Sequence, residues 1–167
     1  MARLKPLPAL WLVSDARNDA ALENALKRLP RGSGFIFRHY HLAKPERRAR
    51  FAVLTRVARA RGHVVVLAAS RAIAQSWGAD LAYGPDGHLV PVHSLREIGR
   101  AAGAAALLLS PVFATRSHPG ASPLGPLRFR LLAARAQVPV IALGGMNRHS
   151  AKQLGWPRWA GIDAFLR

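Results

Sequence analysis

The sequence contains no cysteine. That excludes a disulfide scaffold, a thiolate metal site and a thiol nucleophile, and it fits a reducing compartment such as the cytoplasm. No apolar run reaches the roughly 18 residues of a membrane span, and the opening Met1-Ala-Arg-Leu-Lys-Pro lacks the apolar stretch and cleavage site of a secretory signal. No membrane partner is expected. Acidic residues are scarce, with 8 Asp+Glu against 25 Lys+Arg, giving a net charge of +17. No two acids are spaced to pair as acid and base or to hold magnesium. The seven histidines lack a metal-ligand spacing such as H-E-x-x-H. His39-x-His41 on a strand would put both rings on one face, but no third ligand is evident. Neither a catalytic metal nor a metal ligand is assigned.

What is present begins with 167 residues, half of them hydrophobic. A chain of this length buries a sizeable core and fits one globular domain, 1–167. A strongly basic chain first suggests nucleic acid. Yet 21 of the 25 cations are arginine, in a chain rich in Ala, Gly and Pro, the composition that a GC-biased genome produces unselected. The densest cluster, Arg47 to Arg71, holds seven arginines and no acid. No zinc-finger spacing, aromatic RNA-binding strand or basic tail accompanies it. The pattern argues against nucleic acid as partner, and the arginines are expected mostly on outward helix faces.

Apolar strands alternate with amphipathic helices along the chain. The strands expected are Leu10–Val13, Phe35–Phe37, His63–Ala68, Asp80–Tyr83, His88–Val92, Ala105–Leu109, Val138–Leu143 and Ile162–Phe165. Between them, helices are expected over Asp19–Leu29, from Pro45, over Arg71–Trp77, from Ser94, over Leu127–Ala136 and around Ser150–Leu154. Ser94 and Glu97 have capping-box spacing. Eight such strands predict a parallel (β/α)8 barrel. The arithmetic is tight, at about 21 residues per unit, so the barrel is expected to be trimmed. Gly84 to Gly87 leaves no room for a helix after the fourth strand, and none is expected after the eighth.

In such a barrel the working groups lie at the C-terminal strand ends. The candidates there are Ser14-Asp15, Arg38-His39, Ala69-Ser70, His93-Ser94, Ser110 to His118 and Gly144-Gly145. Two glycines after an apolar strand let backbone N–H groups approach an anion, or serve only a tight turn. Thr115, Ser117 and His118 lie with Arg116 in a loop able to close over an anion, or in an ordinary polar loop. Arg38 at a barrel mouth invites an anion. Arg38, Thr115, Ser117, His118, Gly144 and Gly145 are therefore the expected phosphate-binding residues, and no residue is assigned as catalytic.

These residues carry a resemblance. Leu10-Trp-Leu-Val-Ser-Asp15, Gly78-Ala-Asp80, His93-Ser94 with Glu97, Ser110-Pro-Val-Phe-Ala-Thr115 with Ser117, and Val138-Pro-Val-Ile-Ala-Leu-Gly-Gly-Met-Asn147 are together similar to the thiamine phosphate synthases and the related thiazole tautomerases (TenI-like proteins). The resemblance implies a (β/α)8 barrel of thiamine biosynthesis. It also implies a transferase that joins an aminopyrimidine diphosphate to a thiazole phosphate and releases pyrophosphate with magnesium. Thr115 and Ser117 would lie near the phosphates, and Gly144-Gly145 would hold the thiazole phosphate. The departures are specific. The family's Gln-x-Arg-x-Lys appears as Ile36, Arg38 and Tyr40, and its Asn-Asp as Ala69-Ser70, which removes a magnesium carboxylate. A serine becomes Pro91, a lysine becomes His118, and the tautomerase histidine becomes Pro111. Asp86 would be at most a remnant of the other magnesium aspartate, and the second phosphate loop would fall beyond the chain.

The expectation is therefore a shortened member of this group that binds a phosphorylated small molecule, thiazole phosphate or pyrophosphate, with weakened or lost activity. Magnesium is implied by the family, but its ligands are not retained. The alternative is a catalytically silent barrel acting as a phosphate- or nucleic-acid-binding regulatory module. A homo-oligomer is compatible with either.

Overall fold

Eight parallel strands close into a barrel in the computed structural model, which describes residues 6–166. The opening residues 1–5, read above, and Arg167 lie outside the described residues. In chain order the elements are β1 (Leu10–Val13), α1 (Leu22–Arg28), β2 (Gly34–Phe37), α2 (Lys44–Ala60), β3 (Val64–Ala68), α3 (Arg71–Ser76), β4 (Leu81–Tyr83) and β5 (Leu89–Val92). They continue with α4 (Leu95–Arg100), β6 (Ala106–Leu109), α5 (Gly125–Ala133), β7 (Val140–Ala142), α6 (Arg148–Leu154) and β8 (Trp159–Gly161). A 3-10 turn, Ala16–Ala21, leads into α1. The fold is the expected (β/α)8 barrel, with each strand beside the next and β8 back on β1.

Alternation along the strands sorts the apolar residues into two cores. Trp11, Val13, Ile36, Val66, Leu108 and Ile141 fill the barrel interior, while Leu12, Phe35, Phe37, Leu67, Leu107 and Leu109 face the helices. Each such side chain, fully buried, stabilises by about 1.5–3 kcal/mol. The interior is packed rather than open, so ligands are confined to the mouth and its rim. Trp11 lies over the bare backbone of Gly34, where an added Cβ would stand 2.0 Å from Cε3 of the indole.

No helix separates β4 from β5, as the short spacing predicts. The strands are staggered, so that Tyr83 at the end of β4 pairs with Leu89 at the start of β5. That overlap of one pair needs no full crossover. The turn is tied by His88 N–H donating to Ala82 O at 2.8 Å and Ala82 N–H donating to His88 Nδ1 at 3.0 Å.

One expectation is corrected. β8 is Trp159–Gly161 rather than Ile162–Phe165. Residues 162–166 therefore lie beyond the strand, and a stretch of chain does follow β8 at the mouth. The arginines of α2 are not all outward. Arg50 binds Asp19 and Glu23, and Arg47 donates to the carbonyls that end β2 and β3. Among the described residues no helix is long and apolar enough to cross a membrane.

Candidate binding site at the barrel mouth

The site begins with Ser14, the first residue beyond β1. Its hydroxyl is buried and accepts from the Arg38 N–H at 2.8 Å. The same oxygen is 2.8 Å from His39 Nδ1, while His39 Nε2 is 2.6 Å from Asp19 Oδ1. A carboxylate accepts only, so the imidazole proton sits on Nε2 and the Ser14 hydroxyl donates to Nδ1. His39 is itself buried, stacks on Phe37 with ring centres 4.6 Å apart, and has φ of +39°. This chain of bonds holds the turn after β2 against the turn after β1. Leaving the buried Ser14 hydroxyl or His39 ring unpaired costs about 1–3 kcal/mol.

Arg38 is placed at the mouth by that turn, but its charge is already answered. Its Nη2 lies 3.1 Å from Asp15 Oδ2, and its Nε donates to Ser14 O at 3.1 Å. Arg17, which the sequence reading did not single out, joins three loops. It donates from Nε to Asp163 Oδ1 at 3.0 Å, from Nη2 to Ser117 Oγ at 3.2 Å, and its Nη1 lies 3.9 Å from Asp15. Asp15, Arg17, Arg38, Ser117 and Asp163 thus form one network across the loops after β1, β2, β6 and β8. A pairing between residues 17 and 163 leaves no local trace in a sequence.

The loop after β6 is anchored along its first residues. Val112 N–H donates to Leu143 O at 2.9 Å and Phe113 N–H to Gly144 O at 3.0 Å. Gly144 and Gly145 are positive in φ, at +99° and +61°. An added Cβ would meet Pro111 Cα at 2.6 Å at the first and Ala114 O at 2.5 Å at the second. The close approach that requires these glycines is therefore to the β6 loop. Among the described residues, neither the Gly144 nor the Gly145 N–H has a hydrogen-bond partner. In the same loop Ser117 N–H donates to Thr115 Oγ1 at 3.3 Å, and both side chains are half-buried. His118 is exposed, and its carbonyl accepts from Ala121 N–H. The structure so brings Gly144 and Gly145 against the loop of Thr115, while Arg38 sits with Asp15 across the mouth.

Ser94 caps α4 by accepting from Glu97 N–H at 3.3 Å. The Glu97 carboxylate, expected on the Ser94 N–H, instead accepts from His93 N–H at 2.5 Å. The chain is extended before Ser94, so the carboxylate meets the donor one residue earlier. His93, exposed, serves this cap as well, at 3.1 Å from Glu97.

Magnesium does not fit the residues present. Asp15 and Asp163 are occupied by arginines, Ala69 and Ser70 bring no carboxylate, and Asp86 is an exposed residue of the β4–β5 turn. Among the described residues no group of three or more His, Asp or Glu side chains could hold a metal ion. A small cavity of about 70 Å³ beside Ile98, Leu107 and Val138 is remote from these groups and too small for a ligand of this class.

The buried polar groups fix a pH dependence. Burial lowers the pKa of His39 against the opposing pull of Asp19, and burial likewise lowers His63 and His88. A histidine with a depressed folded pKa contributes stability that is complete above its unfolded value, about 6.5, and lost as pH falls through the folded value. Burial would raise Asp19, but hydrogen bonds from Arg50 and His39 outweigh it, and the Arg50 bond lowers Glu23. Those carboxylates add a second loss at lower pH. Melting temperature is expected to be level between about pH 7 and 8 and to fall on acidification below about 6.5, less steeply in His39→Gln. A melting temperature that rises from pH 7 to pH 5 would contradict this assignment.

Residues 90–164 match the family described as thiamine monophosphate synthase. Over 67 residues the chain is 39% identical to a protein of Aquifex aeolicus (strain VF5) described as "Putative thiamine-phosphate synthase 2". That match covers 38% of this chain and 36% of that one, so it spans about a third of the relative's length. A thiamine phosphate pyrophosphorylase from Pyrococcus furiosus superposes with a TM-score of 0.77 at 21% identity, over 93% of this chain and 85% of that one. The YdjI aldolase of Escherichia coli K12 superposes with a TM-score of 0.60 at 10% identity, over 94% and 75%. At those identities the structural likeness shows the barrel alone. The family match runs from β5 past β8. It contains Thr115, Ser117, His118, Gly144 and Gly145, and leaves Arg38 outside.

Proposed function

From the premise that this chain is a thiamine monophosphate synthase-like protein through residues 90–164, we propose that its mouth binds a phosphorylated small molecule, thiazole phosphate or pyrophosphate, with little or no synthase turnover. In this reading the chain works as one barrel domain. The carrying observation is the pair of N–H groups at Gly144 and Gly145, without a hydrogen-bond partner among the described residues and packed beside the loop after β6. Successive backbone donors in a turn are a known way of building a concave anion site. Arg17 and Ser117, already in contact, lie where a bound phosphate can recruit both. Thr115 and His118 are assigned to the loop side of the same anion.

Weak turnover follows from what faces the departing pyrophosphate. Charge developing there needs fixed donors or a metal. The carboxylates that could hold magnesium are paired with arginines, and Ile36, Tyr40 and Ala69 stand where the resemblance expects polar groups. Binding is then the function that survives, and a cytoplasmic setting is the fitting one for a thiamine precursor.

The test is a thermal-shift titration with thiazole phosphate and with pyrophosphate, each with and without magnesium. The expected result is a saturable rise in melting temperature with at least one of them, unchanged by chelator. At a ligand concentration of 100 times Kd the stabilisation is about 2.7 kcal/mol. No shift with either ligand sinks the anion site, and a shift that needs magnesium sinks the metal-free reading.

A further inference from the structure

The helices of the barrel all run from the mouth to the opposite end, so their last turns and the loops that follow share one face. Acids favour helix starts and cations favour helix ends, because each answers the helix dipole. Helices that all point one way add these preferences, and the two ends of the barrel come to differ in charge. Glu23, Glu46 and Glu97 lie in first turns, and Asp15, Asp19 and Asp163 lie in mouth loops. Asp86 is held at the same end, its carbonyl accepting from Arg71 Nε, at the start of α3, at 3.0 Å. Among the described residues Asp80 is the one acid at the far end. Its carboxylate accepts from Val65 N–H at 2.8 Å and lies 3.7 Å from Arg59.

The corner between α1 and α2 gathers cations around that single acid. Lys27 and Arg28 occupy the last turn of α1, Arg31 the loop to β2, and Arg59 and Arg61 the end of α2. The two segments touch, with Gly32 N–H donating to Arg61 O at 3.2 Å and Arg61 Nη2 donating to Leu29 O at 3.3 Å. Arg59 donates to Gly78 O. These carbonyl bonds fix two guanidiniums without neutralising them. The charge is felt inside the corner by the buried His63, whose Nε2 lies 2.8 Å from Leu26 O. Burial holds its pKa below the ordinary value against that bond, and the charges of Arg61 and Arg31 lower it further. Lys27, Arg28, Arg31 and Arg59 are exposed. Along the sequence these cations form no basic run, which argues against nucleic acid there; the closed barrel assembles them. The helix dipole does not account for Arg31, which stands in a loop.

We propose that this face docks on the phosphate backbone of double-stranded nucleic acid. It goes beyond the mouth reading and does not depend on it. A guanidinium pairs with phosphate oxygens through two N–H groups at once. The side chains that would select another polyanion lie elsewhere. The exposed large apolar residues among the described ones are Tyr40, Val53, Ile73, Leu95, Leu127 and Leu131, none of them in these turns and loops. The corner therefore offers no platform for the stacked bases of a single strand. It offers no wedge for an anionic membrane and no apolar centre for a protein interface.

The test follows the fluorescence anisotropy of a short labelled duplex, with a single strand of the same sequence and phosphatidylserine vesicles beside it. With about four phosphates engaged, duplex binding is expected to be saturable and to weaken roughly a hundredfold between about 50 and 200 mM salt. The duplex is expected to bind more tightly than the single strand or the vesicles. Arg28→Glu with Arg31→Glu is expected to weaken it tenfold or more. Arg96→Glu with Arg128→Glu removes the same charge from exposed positions nearer the mouth and is expected to weaken it less than threefold. Both double variants are checked by melting temperature, and Arg28→Gln with Arg31→Gln, expected to lose binding several-fold, replaces a reversal that does not fold. Equal losses in the two double variants overturn the proposal, because they assign binding to net charge and not to this face. So does the absence of saturable duplex binding at the lowest salt, or tighter binding to the single strand or the vesicles than to the duplex.

Discussion

Gly34→Ala is expected to cost several kcal/mol, enough to unfold a barrel of ordinary marginal stability. The reason is steric and local. The indole of Trp11 lies flat over the Gly34 backbone, with three ring atoms within 2.3 Å of where a Cβ would be. Trp11 cannot retreat, because it is fully buried among Val13, Ile36 and the other interior residues, and its Nε1 donates to Pro8 O at 2.8 Å. Overpacking alone costs about 1–3 kcal/mol, and displacing the ring breaks a buried hydrogen bond worth about 1 kcal/mol more. The check is chemical denaturation of Gly34→Ala, of Trp11→Leu, and of the pair. The double variant is expected to be more stable than the sum of the two losses predicts, since the smaller side chain makes room. Additive losses would show that the two positions do not meet.

The second large effect is expected at the glycine pair. Gly144→Ala and Gly145→Ala each force an alanine into the left-handed region, at a cost of about 1–2 kcal/mol, and each drives a methyl into the loop backbone after β6. The loop must then move away from β7, and the donors it borders lose their setting. Affinity for thiazole phosphate or pyrophosphate is expected to fall more than tenfold. A variant that melts near the parent temperature and binds as tightly would remove both glycines from the site. Ser117→Ala covers the case in which the glycine variants do not fold, for among the described residues its hydroxyl bonds only to Arg17 and its loss should leave the barrel standing. It is expected to weaken the anion several-fold.

The barrel was legible because its strands are short apolar runs and its helices have apolar stripes. The strand Leu10–Val13 and the helix opening at Pro45-Glu46 follow directly from such patterns. β8 was not legible at its true position. Trp159-Ala160-Gly161 is small and brief and follows Pro157, so the stronger apolar signal at Ile162 and Phe165 drew the expected strand three residues late. The error carried a functional consequence, because it hid a mouth loop with Asp163 in it. The glycine pair stood out as a motif, but not its main contact, the backbone of residues 111–114. Arg38 looked free in the sequence, and only the fold brings Asp15 and Ser14 to it. Arg17, Asp19 and Arg50 could not be found from spacing at all, since their partners are 20 to 146 residues away and meet only once the strands are closed.

The central claim is that the mouth holds an anion on backbone donors without a metal. The most direct measurement is the amide ¹⁵N–¹H spectrum of the labelled protein during titration with thiazole phosphate in chelator. The account predicts saturable, parallel shifts of the Gly144 and Gly145 amides, accompanied by Ser117. Amides at 144 and 145 that stay in place while the ligand binds elsewhere, or that move only after magnesium is added, would contradict it.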